Sequence, residues 1–353
     1  MKTAIFIRLL GAGLVLAGIS NVALSQELEK LNVIVPNERT AVQYEVFVAR
    51  DLGFYEDEGL DVTFLSSATT VPYVAFLQNG DADIAMMDSS EILQALNAGL
   101  PVSVIYETQQ VSPDGIVVPF DSDITSLAAL EGKTIGMASD RDLVTTAISF
   151  QKVGLSIDNV RTVVVGDEPP IIVSSFRNGQ IDAFAGGTSD RFGMEAAGIP
   201  FRDITPAAAQ ENPANSHVIW GPRKEELSGR IAKFLRAWAK AQHAAMVDFD
   251  VVASICRENV PEQWENIQLG RKLLDFTTYK LNVPRATLRG RARPELWVEV
   301  QQPLIDMGQL EKAFDPSDFI DVSFVEAAND YTYADVREAV KAWRAENPDK
   351  MIP

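Results

Sequence analysis

Histidine and cysteine are almost missing from this chain, with two of the first and one of the second in 353 residues. A single cysteine, Cys256, forbids an internal disulfide and any multi-cysteine metal site. Two histidines in unrelated contexts, His217 and His243, leave no material for a serine triad or a histidine-rich metal site. His243 reads as a surface residue, and His217 reads as structural. Positive charge is also short: 31 Lys and Arg stand against 49 Asp and Glu, for a formal net charge of -18. Phosphate backbones and anionic membranes are held by clustered Lys and Arg, so this balance argues against both as partners. The acidity is spread along the chain and reads as a solvated surface. No phosphate-binding Walker loop, HExxH pair or G-x-S-x-G elbow occurs, and nothing in the motifs calls for a cofactor.

What is present begins with an export signal. Lys2 and Arg8 supply a charged start, Leu9 to Ile19 a short apolar stretch, and Ala23-Leu24-Ser25 the small residues that signal peptidase reads. Residues 1–25 are therefore expected to be removed. The apolar stretch is too short to span a bilayer comfortably, and no second candidate follows. No cysteine follows the signal to carry a lipid, so the expectation is a soluble protein in a Gram-negative periplasm, not lipid-anchored.

The mature chain repeats itself. Residues 77–91 (LQNGDADIAMMDSSE) and 176–190 (FRNGQIDAFAGGTSD) align at a constant offset of 99, taking Asn79-Gly80 to Asn178-Gly179 and Asp83 to Asp182. The same register takes Gly99-Leu100-Pro101 to Gly198-Ile199-Pro200. Around each copy the pattern alternates. Leu31 to Val35, Leu60 to Leu65, Ile84 to Met87 and Val102 to Tyr106 read as strands in the first half; Lys133 to Met137, Val160 to Val165 and Ile181 to Ala185 read as strands in the second. Helical patterns separate them, including a proline-opened helix before each NG turn. Strands alternating with helices predict two parallel-sheet α/β lobes. The apolar runs Ile116 to Val118 and His217 to Trp220 read as two extended crossings, which together make a hinge. The expected division is a first lobe of residues 26–112 and 223–353, with a helical C-terminal tail, and a second lobe of residues 113–222. In the tail, Ile231, Phe234, Leu235, Trp238 and Ala241 form one core-facing stripe, and Leu304, Met307 and Leu310 another. The tail is expected to pack mainly on the first lobe.

In open α/β sheets, ligands collect where strands end and helix N-termini expose unpaired N–H groups. This chain places small polar residues there repeatedly: Asn37 to Thr40, Ser66 to Thr69 and Asp88 to Ser90 in one half; Ser139-Asp140, Gly166 to Glu168 and Gly187 to Ser189 in the other. Singly, each reads as a helix cap. Recurring in two facing halves, they converge on one cleft for a small molecule.

The order of features resembles a known family. Residues 49–65 (ARDLGFYEDEGLDVTFL), 79–91 (NGDADIAMMDSSE), 126–139 (SLAALEGKTIGMAS) and 178–187 (NGQIDAFAGG) are similar to periplasmic substrate-binding proteins of the nitrate/sulfonate/taurine type, a group that includes thiamine-pyrimidine precursor binders. The resemblance implies a type II periplasmic binding protein fold, with two α/β lobes joined by two hinge crossings. It implies no catalysis, a monomer that closes on a small solute, and delivery to the permease of an ABC importer. Carried over position by position, the binding loops map to Asn37 and Arg39, Ser66 and Thr69, and Asp88 and Ser89 on one lobe. On the other they map to Ser139 and Asp140, Asp167 and Glu168, and Gly187 and Thr188. The acids among these depart from a pure oxyanion pocket and favour an amine or protonated ring nitrogen, or an amine-bearing sulfonate. A neutral heterocycle stacked on Tyr44, Tyr73, Phe192 or Trp220 is a further reading. The alternatives to transport are an enzyme of pyrimidine synthesis on the same fold, and a sensor that presents its ligand to a receptor.

Overall fold

The computed structural model describes residues 27–66, 71–282 and 288–352. The signal segment and Thr69 lie outside the described residues. The described residues form ten strands: β1 (Glu29–Val35), β2 (Leu60–Ser66), β3 (Ile84–Met87), β4 (Val102–Glu107), β5 (Gly115–Pro119), β6 (Thr134–Met137), β7 (Arg161–Val164), β8 (Ala183–Gly186), β9 (Phe201–Asp203) and β10 (Ser216–Trp220). They assemble into two five-stranded sheets, ordered β2-β1-β3-β10-β4 and β7-β6-β8-β5-β9. Each sheet holds one antiparallel strand: β10 runs against β3 and β4, and β5 runs against β8 and β9.

The repeated phrase occupies equivalent places in the two sheets. Gly80 and Gly179 adopt φ of +79° and +65°, so each NG turn uses the left-handed conformation that glycine adopts freely. Asp83 then donates its N–H to Asn32 O at 2.8 Å while its Oδ2 accepts from Asn32 N at 3.0 Å. Asp182 makes the same pair of bonds to Thr134, at 2.8 and 2.9 Å. The matching aspartates thus register the third strand of each lobe against its first.

The two apolar runs read as crossings are themselves strands. Residues 116–118 lie in β5 of the second sheet, and 217–220 lie in β10, which pairs with β3 and β4 of the first. The stretch 216–220 therefore joins the first sheet, although the expected boundary put it in the second lobe. The reason is burial: both strands are apolar on both faces and need a paired neighbour on each side. The chain does pass between the sheets twice, through residues 108–114 and 204–215.

The helical tail covers the first sheet and grips the second lobe at two points. Leu227, Ile231, Phe234, Leu235, Trp238 and Ala241 of the helix Lys224–Val247 are fully buried in the core of the first lobe. His217 lies beneath this helix, with ring centroids 4.6 Å from Trp238 and 5.3 Å from Phe234 and no hydrogen bond to either nitrogen. Burial pushes its pKa down to about 3, so it is a neutral core residue. His243 is half-buried beside Tyr331 and Tyr333 rather than free on the surface. Against the second lobe, Phe276 meets Phe192 at 5.6 Å and Lys272 pairs with Glu195 at 2.7 Å. On the other flank Gln151 donates to Asp306 at 2.8 Å, and Lys152 pairs with Glu299.

One tail residue ties both crossings. Arg293 donates from Nε and Nη2 to Glu107 Oε1 at 3.1 and 2.8 Å, and from its backbone N to Oε2 at 3.1 Å. Its Nη2 also donates to Gln110 O at 2.5 Å, and its Nη1 lies 3.5 Å from Glu211 Oε2 in the return crossing. The approach depends on Gly290, whose φ is +75° and where a Cβ would fall 2.1 Å from the Tyr106 ring. Arg293→Ala leaves the Glu107 carboxylate buried without its cation, and a loss of about 3–5 kcal/mol in urea unfolding is expected. A loss below about 1 kcal/mol, the range of an exposed pair, would show that the pair does not hold this junction.

Candidate functional site

The ends of β3 and β8 and both crossings meet around a narrow cavity of about 30 Å³. That is room for about one water molecule. The first lobe contributes Asp88, Ser89 and Ser90 at the start of the helix Ser89–Asn97. The second contributes Thr145, Thr146 and Ser149 from the helix Asp142–Gln151. The crossings contribute Ser112 and Asp114 on one side and Asn212 and Pro213 on the other. Val144, Ile148 and Val300 supply apolar wall.

A carboxylate stands in the first turn of the helix that follows each of β3 and β8. Asp88 Oδ1 accepts from Ser90 N at 2.9 Å and from Ser90 Oγ at 2.8 Å, and Asp88 N donates to Glu91 Oε2 at 3.1 Å. This is a capping box. In the second lobe, Gly187 stands at the N-cap of Thr188–Ala196, so the acid moves to Asp190, whose Oδ2 accepts from Gly187 N at 2.8 Å. A third carboxylate, Asp142, accepts from Ser139 N at 2.7 Å and Ser139 Oγ at 2.9 Å.

Two arginines answer this acid. Arg191, 1% exposed, is spent on the second lobe: it donates to Pro113 O at 2.5 Å, to Gly187 O at 3.3 Å and to Asp203 at 2.8 Å. Thr188 Oγ1 donates to the same Pro113 carbonyl at 2.8 Å. Gly115 is needed for this packing, because a Cβ there would fall 2.5 Å from Arg191 Nη1. Arg141 is different. Its side chain is 41% exposed, and Nη2 lies 3.3 Å from Asp114 Oδ1 and 3.6 Å from Asp142 Oδ1. Asp88 and Glu91 of the first lobe add to Asp114 in holding its proton.

The structure separates the residues expected at the site. Asp88 and Ser89 line the cavity; Gly187 and Thr188 flank it, with a Cβ on Gly187 3.8 Å from Asp114 Oδ1. Ser139 is turned to Asp142. Arg39 is an exposed partner of Glu262 at 2.9 Å, and Asn37 Oδ1 accepts from Arg39 N. Ser66, Asp140, Asp167 and Glu168 are exposed and outside the cavity wall. Tyr44, Tyr73, Phe192 and Trp220 do not line it either. Asp114, Thr145, Thr146, Ser149 and Asn212 were not singled out by sequence. One signal was available, since Thr145, Thr146 and Ser149 interrupt an otherwise apolar buried helix with hydroxyls. Among the described residues no group of His, Cys, Asp and Glu could hold a metal ion, and no helix is long and apolar enough to cross a membrane.

Crowded acids in a dry site hold their protons. Burial, with Asp142 and Asp88 nearby, raises Asp114 to about 6 against the pull of Arg141. Burial raises Asp190 to about 7 against its bond from Gly187, with Asp142, Asp114 and Asp167 adding to the rise. Both bind a proton more tightly folded than unfolded, so they contribute stability below the unfolded value of about 3.9 that is lost as pH rises through their folded values. Asp190→Asn keeps the oxygen that Gly187 N needs. Its unfolding free energy should therefore fall less steeply than the parent's between about pH 4 and about pH 7; parallel curves would mean that Asp190 ionises freely in the folded protein.

Comparison with known proteins agrees with this geometry. Residues 41–248, more than half the chain, match the family described as NMT1/THI5 like. The periplasmic aliphatic sulphonate binding protein SsuA from Escherichia coli superposes with a TM-score of 0.67 at 13% identity, over 83% of this chain and 92% of that one. The desulfurization enzyme DSZB superposes with a TM-score of 0.58 at 16% identity, over 85% and 98%. A 4-amino-5-hydroxymethyl-2-methylpyrimidine phosphate synthase of Schizosaccharomyces pombe is 24% identical over 157 residues, 44% of each chain. The chain thus matches under half the length of that relative. The architecture is the periplasmic binding protein fold, which binding proteins and enzymes both use.

Proposed function

We propose that this chain, which belongs to the NMT1/THI5-like family, is an extracytoplasmic solute-binding protein that closes on a small organic solute and delivers it to the permease of an ABC importer. One observation carries the reading: polar groups from both lobes and both crossings converge on one narrow cavity. A cavity built this way exists only when the lobes are together, so any solute held there stabilises the closed form. With room for about one water, it must open to admit a solute and reclose around it.

In this reading the lobe boundary falls in the crossings 108–114 and 204–215, and residues 1–25 direct the chain to the periplasm, where it works as a free monomer. The solute is a sulfonate, an amine-bearing sulfonate or a small heterocycle. The fold's enzymes supply the second reading, favoured by the pyrimidine synthase relative. Against it stands the position of the reactive side chains. Cys256 and His217 are both fully buried in the core of the first lobe, away from the cavity wall, so the cleft has neither a thiol nucleophile nor an imidazole base.

Native mass spectrometry of the purified protein, followed by a thermal-shift panel of sulfonates, aminosulfonates, pyrimidines and nitrate, identifies the solute. Small-angle scattering with that solute should then show a smaller radius of gyration. Binding with unchanged dimensions would sink the closure mechanism, and turnover of the solute would replace this reading with the enzymatic one.

A further inference from the structure

The cleft holds buried polar atoms that lack partners. Two of its wall residues carry buried atoms without a hydrogen-bond partner: Thr146 Oγ1, in a residue 1% exposed, and Asn212 Oδ1, in a residue 8% exposed. Asp142 Oδ1 also lacks a hydrogen bond and has only Arg141, at 3.6 Å. Buried polar atoms left unsatisfied cost free energy, so a cavity lined by them is built for an occupant that satisfies them. Several donors that an anion would use are engaged elsewhere. The start of the Ser89–Asn97 helix is capped by Asp88 and Glu91, Gly187 N is taken by Asp190, and the Arg191 guanidinium is bonded to Pro113, Gly187 and Asp203.

Among the described residues, that leaves Arg141 as the one exposed cation beside Asp88, Glu91, Asp114 and Asp142. Its longest reach is poor in geometry, 3.3 Å to Asp114 and 3.6 Å to Asp142, where a well-made charged bond measures about 2.7–2.9 Å. A guanidinium held this loosely neutralises the acids without satisfying them. Resting on the solute-binding reading above, we propose that the solute presents an ammonium, amidinium or guanidinium group to Asp114 and its neighbours, and that Arg141 fills that place until the solute displaces it. The exchange is cation for cation, so the acids remain neutralised throughout, and the orphaned oxygens of Thr146 and Asn212 gain N–H donors only when the solute is in. An anionic solute predicts the reverse, with Arg141 as its clamp.

The two signs are separable by rescue. The mature full-length protein, its Arg141→Ala variant and its Arg141→Lys variant are titrated with methylguanidinium, methylammonium and methanesulfonate at matched ionic strength, and the melting temperature is read. Arg141→Ala should respond to methylguanidinium at a concentration at least tenfold lower than the parent or Arg141→Lys, which keep their own cation. Methanesulfonate should not favour the parent over Arg141→Ala. Equal responses of all three proteins to methylguanidinium, or stabilisation by methanesulfonate that Arg141→Ala abolishes, overturn the proposal. Failure of the parent reading looks different. If the protein closes on a solute whose binding Arg141→Ala abolishes, the displacement idea falls and solute capture stands. If rescue is seen but no solute closes the parent protein in scattering, the cation site stands and solute capture falls.

Discussion

The Glu107 carboxylate and the Arg293 guanidinium hold the junction between the two sheets together. Glu107 ends β4, the last strand before the chain leaves the first sheet, and its side chain is wholly inaccessible. Three donors from Arg293 and the Trp297 indole converge on it. Such a pair adds little net stability over apolar residues of the same volume, because both charges lose their water. What it adds is position. The same guanidinium reaches Gln110 in the outgoing crossing and Glu211 in the return crossing, so the two connections are held side by side by one tail residue. Next to it, Trp238 and Gln242 of the long tail helix donate to Thr108, at 2.9 Å to its hydroxyl and 3.2 Å to its carbonyl. The tail therefore holds both connections, and the outgoing crossing is tied to the first lobe at Thr108 and Gln110 and to the second at Pro113, whose carbonyl takes bonds from Thr188 and Arg191.

The duplicated phrase shows where two copies of one unit were kept alike and where they parted. Asp83 and Asp182 make identical bonds to the neighbouring strand, a demand set by the sheet and indifferent to ligand. One turn later the copies differ. The first places its acid at the N-cap, as Asp88; the second puts glycine there and carries its acid three residues on, as Asp190. Either arrangement quenches the positive end of the helix. These few carboxylates, rather than the backbone, make the two helix starts differ.

The strands and helices were legible because periodicity reports burial, and burial is what orders them. Ile84 to Met87 and Pro169 to Arg177 begin and end as their patterns imply. The Ile116 and His217 runs misled because an apolar, β-branched stretch specifies a buried strand without naming the sheet that buries it. Of the cleft, sequence located the residues that follow strands, Asp88 and Ser89 among them. Asp114 and Asn212 escaped because they lie in crossings, which have no period, and Thr146 and Ser149 because they sit within a helix rather than at its start. Arg141 escaped for a further reason: a side chain at a helix N-terminus acquires its partners from a crossing nearly thirty residues earlier and from the opposite lobe, a relation only the folded chain makes.

The two lobes meet through mixed contacts. Across the interface stand the Lys272–Glu195 and Lys152–Glu299 pairs, Gln151 to Asp306, a 3.4 Å contact between the hydroxyls of Thr40 and Ser189, the aromatic contact between Phe192 and Phe276, and Val144 and Ile148 buried in one cluster with Val300 and Leu304. Lys272 is 54% exposed, and an ion pair open to water contributes roughly 0–1 kcal/mol. The aromatic contact adds about the same again. Against these, closing buries the cleft acids, and Asp114 and Asp190 resist that by holding protons. In the proposed closure, the acids that resist burial in the empty protein are the groups that a cationic solute would bond from both lobes.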